Sequence, residues 1–205
     1  MKTFYLVRHA QYSNPRKILV GRLPVPLSNE GVKEAEKLAD FFASKNISNI
    51  YSSPVERCKQ TSEIIANNNI PLEFDVRIAE TLSAYQGYLS ENMDWSEFYQ
   101  HHDTLGGESP QDIQKRMIDF WEEVKNKTKN DIIICSHGDP LYLLYTYLTH
   151  LPTPDITEIY NIPDGEYQPK ASIRPVIYKQ KKVMVSPLVE MKTGTGKTYA
   201  YLHTS

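Results

Sequence analysis

The sequence predicts an α/β fold, a three-layer α/β/α sandwich around a mostly parallel central sheet. Three observations predict it. Short apolar runs alternate with longer segments of helical period. Two of the runs, Thr3–Arg8 and Asp131–Ser136, are apolar without alternation, the pattern of strands buried on both faces. Each run leads into chemically capable residues, Arg8-His9 in one case and Ser136-His137-Gly138 in the other. In open α/β sheets ligands bind beyond the carboxyl ends of the strands, so both histidines are expected at a ligand-binding edge.

The elements follow in order. Thr3–Arg8 is the first strand. Ser28–Lys45 reads as a helix with a serine cap, early Glu30 and Glu34, and a stripe of Val32, Ala35, Leu38, Ala39 and Phe42. Asn49–Tyr51 is a short strand. Pro54 opens a second helix with Val55, Cys58, Thr61, Ile64 and Ile65 on one face. Leu72–Phe74 is another short strand, and the stretch 84–108 is irregular. Pro110–Lys127 is an amphipathic helix carrying Ile113, Met117, Phe120, Trp121 and Val124. Asp131–Ser136 is a buried strand and Pro140–His150 a buried helix. Two strands, Ala171–Lys179 and Lys182–Val189, close the domain, with Gln180-Lys181 near their turn. One domain, 1–190, is expected, followed by a polar tail, 191–205.

Composition narrows the function. The 205 residues carry a formal net charge of -2, so no global field draws nucleic acid or a membrane surface. There is no apolar run of the roughly 18 residues that a membrane span needs, and no signal peptide, so a cytoplasmic location is expected. Cys58 and Cys135 stand far apart without metal-ligand spacing and read as buried thiols.

A histidine at a strand end can be a nucleophile, a proton carrier or a donor. A phosphate ester is well held by guanidinium forks. Arg8 adjoins His9, and Arg57 lies near the start of the helix opened by Ser52-Ser53-Pro54. The N-termini of that helix and of the one after Gly138 would both offer N–H groups to an anion. Two histidines and two arginines would make a pocket for one phosphate.

Six blocks extend the pattern: LVRHAQ at 6–11, GRLPVPLSNEG at 21–31, SSPVERCKQT at 52–61, Glu80 in RIAET, GES at 107–109 and CSHGD at 135–139. Together, and in this order, they resemble the histidine phosphatase superfamily, the phosphoglycerate mutase-like family, over roughly residues 3–150. The resemblance implies that His9 is the nucleophile that becomes phosphohistidine. It makes Arg8, Arg57 and His137 the groups that hold the transferring phosphoryl, and Glu80 the acid and then the base. It implies no cofactor and no metal. The partner is a small-molecule phosphate ester, with no nucleic acid and no membrane, and the chain is a monomer or homodimer.

The opening block departs from the family pattern. Ala10 and Tyr12 stand where glycine and threonine are usual, and Asn14 falls one position early. Gln11, Asn14 and Gly138 are the expected substrate contacts. Tyr12, Tyr85, Tyr88, Tyr99, Tyr160 and Tyr167 fit an aromatic pocket and a covered core equally well. No Lys or Arg occurs between Glu80 and Lys115, which disfavours a bisphosphate and favours hydrolysis over mutase chemistry. A non-catalytic phosphate-binding member of the superfamily is the other alternative.

Two features are decoys. His101-His102 points two ways and has no third ligand at metal spacing, so it reads as surface. Gly194, Gly196, Lys197 and Thr198 resemble a phosphate-cradling loop. Met191 stands where its first glycine would be, and seven residues after Thr198 leave no room for the helix and sheet such a loop needs.

Overall fold

In a computed structural model, residues 1–95, 98, 105–127, 129–155, 159, 162–163, 165–179 and 182–191 are described. His101-His102, Tyr99, Tyr160, the Gln180-Lys181 turn and the glycine-rich part of the tail lie outside them.

The described residues form a seven-stranded sheet in the order β3-β2-β4-β1-β5-β6, with β7 also on β5. The strands are β1 (Lys2–Arg8), β2 (Ile47–Ser52), β3 (Leu72–Phe74), β4 (Asp131–Ser136), β5 (Ser172–Lys179), β6 (Lys182–Val185) and β7 (Val189–Glu190). β1 to β4 are mutually parallel. β5 is antiparallel to β1, and β6 and β7 are antiparallel to β5. Among the described strands, therefore, β5 alone runs against the rest.

Among the described residues the α-helices are α1 (Asn29–Phe42), α2 (Glu56–Ala66), α3 (Pro110–Val124) and α4 (Gly138–Leu148). Successive strand residues point to opposite faces. Tyr5 and Val7 of β1, with Ile133 and Cys135 of β4, pack under α1 and α2. Phe4 and Leu6, with Ile132 and Ile134, pack under α3 and α4. This double burial is why both strands read as unbroken apolar runs. On the second face the Phe4 and Trp121 rings lie 4.5 Å apart, and truncating a buried aromatic of this kind costs about 3–5 kcal/mol.

Helix α1 is capped by Ser28, whose side chain accepts from the Gly31 N–H. It buries Gly31, Ala35, Leu38 and Phe42 at alternating steps of four and three residues. Val32, expected on that stripe, sits one residue round the helix and is 38% exposed. Helix α3 starts on a capping box between Ser109 and Asp112, with Pro110 in its first turn.

Several boundaries shift by one to three residues, α1 ending at Phe42, β2 spanning Ile47–Ser52 and α3 ending at Val124, and three further differences bear on the site and the sheet edge. Helix α2 starts at Glu56, two residues after Pro54, which places Arg57 in its first turn. Helix α4 starts at Gly138, and Pro140 sits in a first turn whose N–H groups have no intrahelical acceptor. The single strand expected over 182–189 is split into β6 and β7 around Pro187, which has no N–H to give a ladder. Both pieces pair with β5, and Met191 donates to the Ala171 carbonyl at 3.0 Å. The packed chain thus includes Met191, one residue beyond the expected boundary. No helix among the described residues is long and apolar enough to cross a membrane.

Candidate active site

Sheet register brings the two histidines together. Arg8 pairs with Ser136 at the carboxyl ends of β1 and β4, so the next residue of each strand is a histidine at the same edge. The His9 N–H donates to the Ser136 carbonyl at 3.1 Å, and the two rings lie 5.1 Å apart. β2 ends beside them, and the Ser53 N–H donates to the Cys135 carbonyl at 2.9 Å. Both imidazoles are buried, at 1% and 0% exposure.

His9 Nδ1 lies 2.8 Å from the Ala10 carbonyl, an acceptor only, so that nitrogen carries the proton. The Nε2 lone pair is left to face Arg57, whose Nε donates to it at 3.1 Å. The Ala10 N–H donates to Thr61 Oγ1 of α2 at 3.1 Å, which ties the turn after β1 to the helix that carries Arg57.

Arg57 is the hub. Its Nη2 lies 2.9 Å from the Gly21 carbonyl, 3.0 Å from Glu80 Oε2 and 3.0 Å from His137 Nδ1. The His137 tautomer that lets Nδ1 accept this bond carries its proton on Nε2, 2.8 Å from Ser53 Oγ. Arg57 Nη1 is buried with no hydrogen-bond partner among the described residues. A buried guanidinium N–H of this kind is costly unless something else accepts from it.

Glu80 reaches the site from the loop after β3. Asp75 caps the turn Val76–Ile78, and Arg116 of α3 donates to the carbonyls of Arg77, Ala79 and Glu80. Arg22 also donates to the Glu80 carbonyl, at 2.7 Å. Glu108 joins both clamps by ion pairs to Arg22 and Arg116, so this carboxylate is structural rather than merely solvated.

Arg8 is braced differently. Its Nη1 donates to the Gln168 carbonyl at 2.7 Å, and its guanidinium lies over the Tyr167 ring at 5.0 Å. The Tyr167 hydroxyl donates to Asp139 Oδ1 at 2.7 Å. Arg8, Arg57, Glu80, Asp139, Thr81, Tyr12 and Tyr167 contribute the polar and aromatic lining of a cavity of about 510 Å³. Leu19, Val20, Trp95, Phe98, Ile159 and Ile162 also line it, with Gly21.

Burial, then the charge of Arg57, then His137 and Arg8, hold His9 well below the ordinary imidazole range. Burial likewise takes His137 down to about 4, against the pull of Glu80 and with Arg57 adding to the fall. Both imidazoles are therefore neutral at neutral pH. Burial pushes Glu80 upward, but His137, Arg57 and the Thr81 N–H outweigh it and hold the carboxyl well below its usual range.

His9, Glu80 and His137 put potential ligand atoms within 4.8 Å of one another, a spacing that a divalent ion could bridge. Arg57 already donates to His9 Nε2, His137 Nδ1 and Glu80 Oε2. A permanent cation thus holds the lone pairs that a metal would need, and the donor set does not fit a metal.

The five expected catalytic residues converge, whereas the three expected substrate contacts stand outside the cavity lining. Gln11 donates from its side chain to the Tyr12 carbonyl, and its N–H is held by Glu34. Asn14 uses both ends of its amide on Ile18. Gly138 packs against Tyr167 and Arg8, with no room for a Cβ. Of the tyrosines, Tyr12 and Tyr167 reach the cavity wall and Tyr85 and Tyr88 do not. Ser53, Asp139 and Gln168 were not identified as site residues from sequence, whereas Tyr167 was named as a candidate pocket tyrosine. Ser53 and Asp139 could have been found, since both lie inside blocks that carry the pattern.

A cavity lined by two guanidinium groups, one of which rests on two buried neutral imidazoles, defines an oxyanion-handling α/β protein. The sequence profile of the histidine phosphatase superfamily (branch 1) matches residues 4–167, and the chain belongs to that family. It is 31% identical to phosphoserine phosphatase 1 of Hydrogenobacter thermophilus over 161 residues, 72% of this chain and 76% of that one. Among solved structures, Bacillus stearothermophilus YhfR shares the fold with a TM-score of 0.79 at 21% identity, over 91% of this chain and 96% of that one. A mutant phosphoserine phosphatase of Entamoeba histolytica in complex with phosphoserine superposes with a TM-score of 0.71 at 19% identity, over 92% and 96%.

Proposed function

We propose that this chain is a metal-independent phosphatase that hydrolyses small-molecule phosphate monoesters through a phosphohistidine on His9. The observation that carries the reading is Arg57. One buried guanidinium touches the nucleophilic nitrogen, the second imidazole and the carboxylate, and still keeps one N–H unpartnered. A phosphoryl group set between them would accept from Nη1 and from Arg8.

In the first step His9 Nε2 attacks phosphorus, the ester P–O bond breaks, and the leaving oxygen takes a proton from Glu80. In the second, water attacks the phosphohistidine, gives its proton to Glu80, and inorganic phosphate leaves. Glu80 is a carboxylate in the free enzyme, held so by the Arg57 guanidinium. A bound phosphate dianion turns Arg57 toward itself and raises the carboxyl, which then takes up one proton from solvent, the proton it gives to the leaving oxygen. Arg8, Arg57 and His137 meet the negative charge on the phosphoryl oxygens, the main protein contribution in this chemistry. The relatives named as phosphoserine phosphatases support a hydrolase, as does a sequence with no Lys or Arg between Glu80 and Lys115.

The test is phosphate release from p-nitrophenyl phosphate in EDTA, with wild type beside His9→Ala. Turnover by wild type and none by the variant is expected. Turnover that depends on added metal, or survives in His9→Ala, would end the reading.

A further inference from the structure

We infer that the preferred substrate is the phosphate ester of an uncharged, apolar alcohol of ring size or larger, a class that rests on the phosphatase reading above. The described lining of the cavity is of two kinds. Its cations are Arg8 and Arg57, accompanied by the carboxylates Glu80 and Asp139. The rest is largely apolar: Leu19, Val20, Trp95, Phe98, Ile159 and Ile162. A substrate carboxylate, as in phosphoserine or a phosphoglycerate, needs a second cation beyond the phosphate. The nearby Arg22 is already bound to Glu108 and to the Glu80 carbonyl, and Lys170, 4.7 Å from the centre of the Tyr12 ring, stands outside the described lining. The sequence offers no Lys or Arg from 78 to 114, the stretch that supplies Trp95 and Phe98.

The apolar wall is a built surface rather than incidental core. The Leu19 N–H donates to the Tyr88 carbonyl at 2.7 Å and the Gly87 N–H to the Leu19 carbonyl at 2.8 Å, which locks the Leu19 segment to the loop opposite. Phe98 stacks on Tyr85 and lies 6.0 Å from the Trp95 ring. Trp95 is nevertheless 44% exposed, so a large apolar face is held open at the cavity rather than buried in the core. A cavity of about 510 Å³ lies in the range that takes a drug-sized ligand, well beyond the needs of a phosphate with a three-carbon chain.

The experiment compares kcat/KM in EDTA for ethyl, butyl, hexyl and 2-phenylethyl phosphate with phosphoserine and 3-phosphoglycerate. All have aliphatic leaving groups, so leaving-group acidity does not decide the order. A gain of roughly threefold to fourfold per added methylene is expected. It should fall in KM, because an apolar wall binds ground state and transition state alike. Trp95→Ser should flatten the series, with the gain per methylene falling toward onefold, and its side chain is exposed enough for the fold to be kept. Highest activity on phosphoserine or 3-phosphoglycerate, or a flat alkyl series in wild type, would overturn this substrate class while the phosphatase stands. No turnover even of p-nitrophenyl phosphate would remove both.

Discussion

Arg57 Nε donates to His9 Nε2 at 3.1 Å, so in the proposed mechanism the attacking nitrogen is held by the same group that receives the phosphoryl. A ligand has to take over part of this guanidinium before the nucleophile is free. Arg57→Lys removes the fork but keeps the charge, and a single ammonium cannot meet His9, His137, Glu80 and a phosphoryl at once. kcat/KM is expected to fall by about 10²–10³-fold with the melting temperature little changed. Retention of more than a tenth of the activity would show that charge alone suffices.

In the proposed mechanism Glu80 acts on the leaving oxygen, so the effect of its removal should depend on the alcohol. Glu80→Gln is expected to lower the phosphorylation rate of alkyl phosphates by about 10²–10⁴-fold. For p-nitrophenyl phosphate, whose phenolate leaves without a proton, the loss in the burst phase should be far smaller. Equal losses on both would assign Glu80 to holding Arg57 rather than to proton transfer.

His137 links stability to pH. Its folded value, about 4, lies below the ordinary 6.5, so the unfolded chain binds the proton more readily. The stability it contributes is full above pH 6.5 and is lost as pH falls toward 4. Glu80, also held low, loses its contribution in the same direction but in a lower window. Between pH 7 and 5 the histidine should account for about 2 kcal/mol, an order-of-magnitude figure. Urea denaturation of wild type and His137→Asn at both pH values checks this, and the variant should lose less.

Two glycines should respond differently to alanine. At Gly31 a Cβ would fall on the Gln11 backbone carbonyl, which cannot turn aside. Gly31→Ala should therefore cost more than the roughly 1–3 kcal/mol of ordinary overpacking and take activity with it, because Gln11 follows the His9-Ala10 turn. At Gly138 the Cβ meets the hydroxyl end of Tyr167, a side chain that can swing. Gly138→Ala should fold and show a raised KM. Melting curves beside steady-state kinetics separate the two outcomes.

β4 was legible to the residue, since an apolar run with abrupt polar ends has one reading. β3, Leu72-Glu73-Phe74, matched its expected span as well, although Glu73 interrupts it. α2 was legible less well. Its buried face includes Arg57, Thr61 and Ser62, and a helix that turns polar groups inward to build a site carries a weak apolar stripe. The pairing of His9 with His137 followed from two strand ends, but the clamps did not. Arg116, Arg22 and Arg8 reach their carbonyls across gaps of 36, 58 and 160 residues, and no local pattern marks such contacts. The split of the last strand was signalled by Pro187.

β1 lies between β4 and β5, with Val7 paired to Cys135 on one side and Ile173 on the other. The strand that carries His9 thus needs neighbours that lie more than a hundred residues further along the chain. Until they are in place its apolar faces stay uncovered, and closing loops of that length slows folding. A chain cut before β5 would leave this strand half-paired, an open edge for association with other strands.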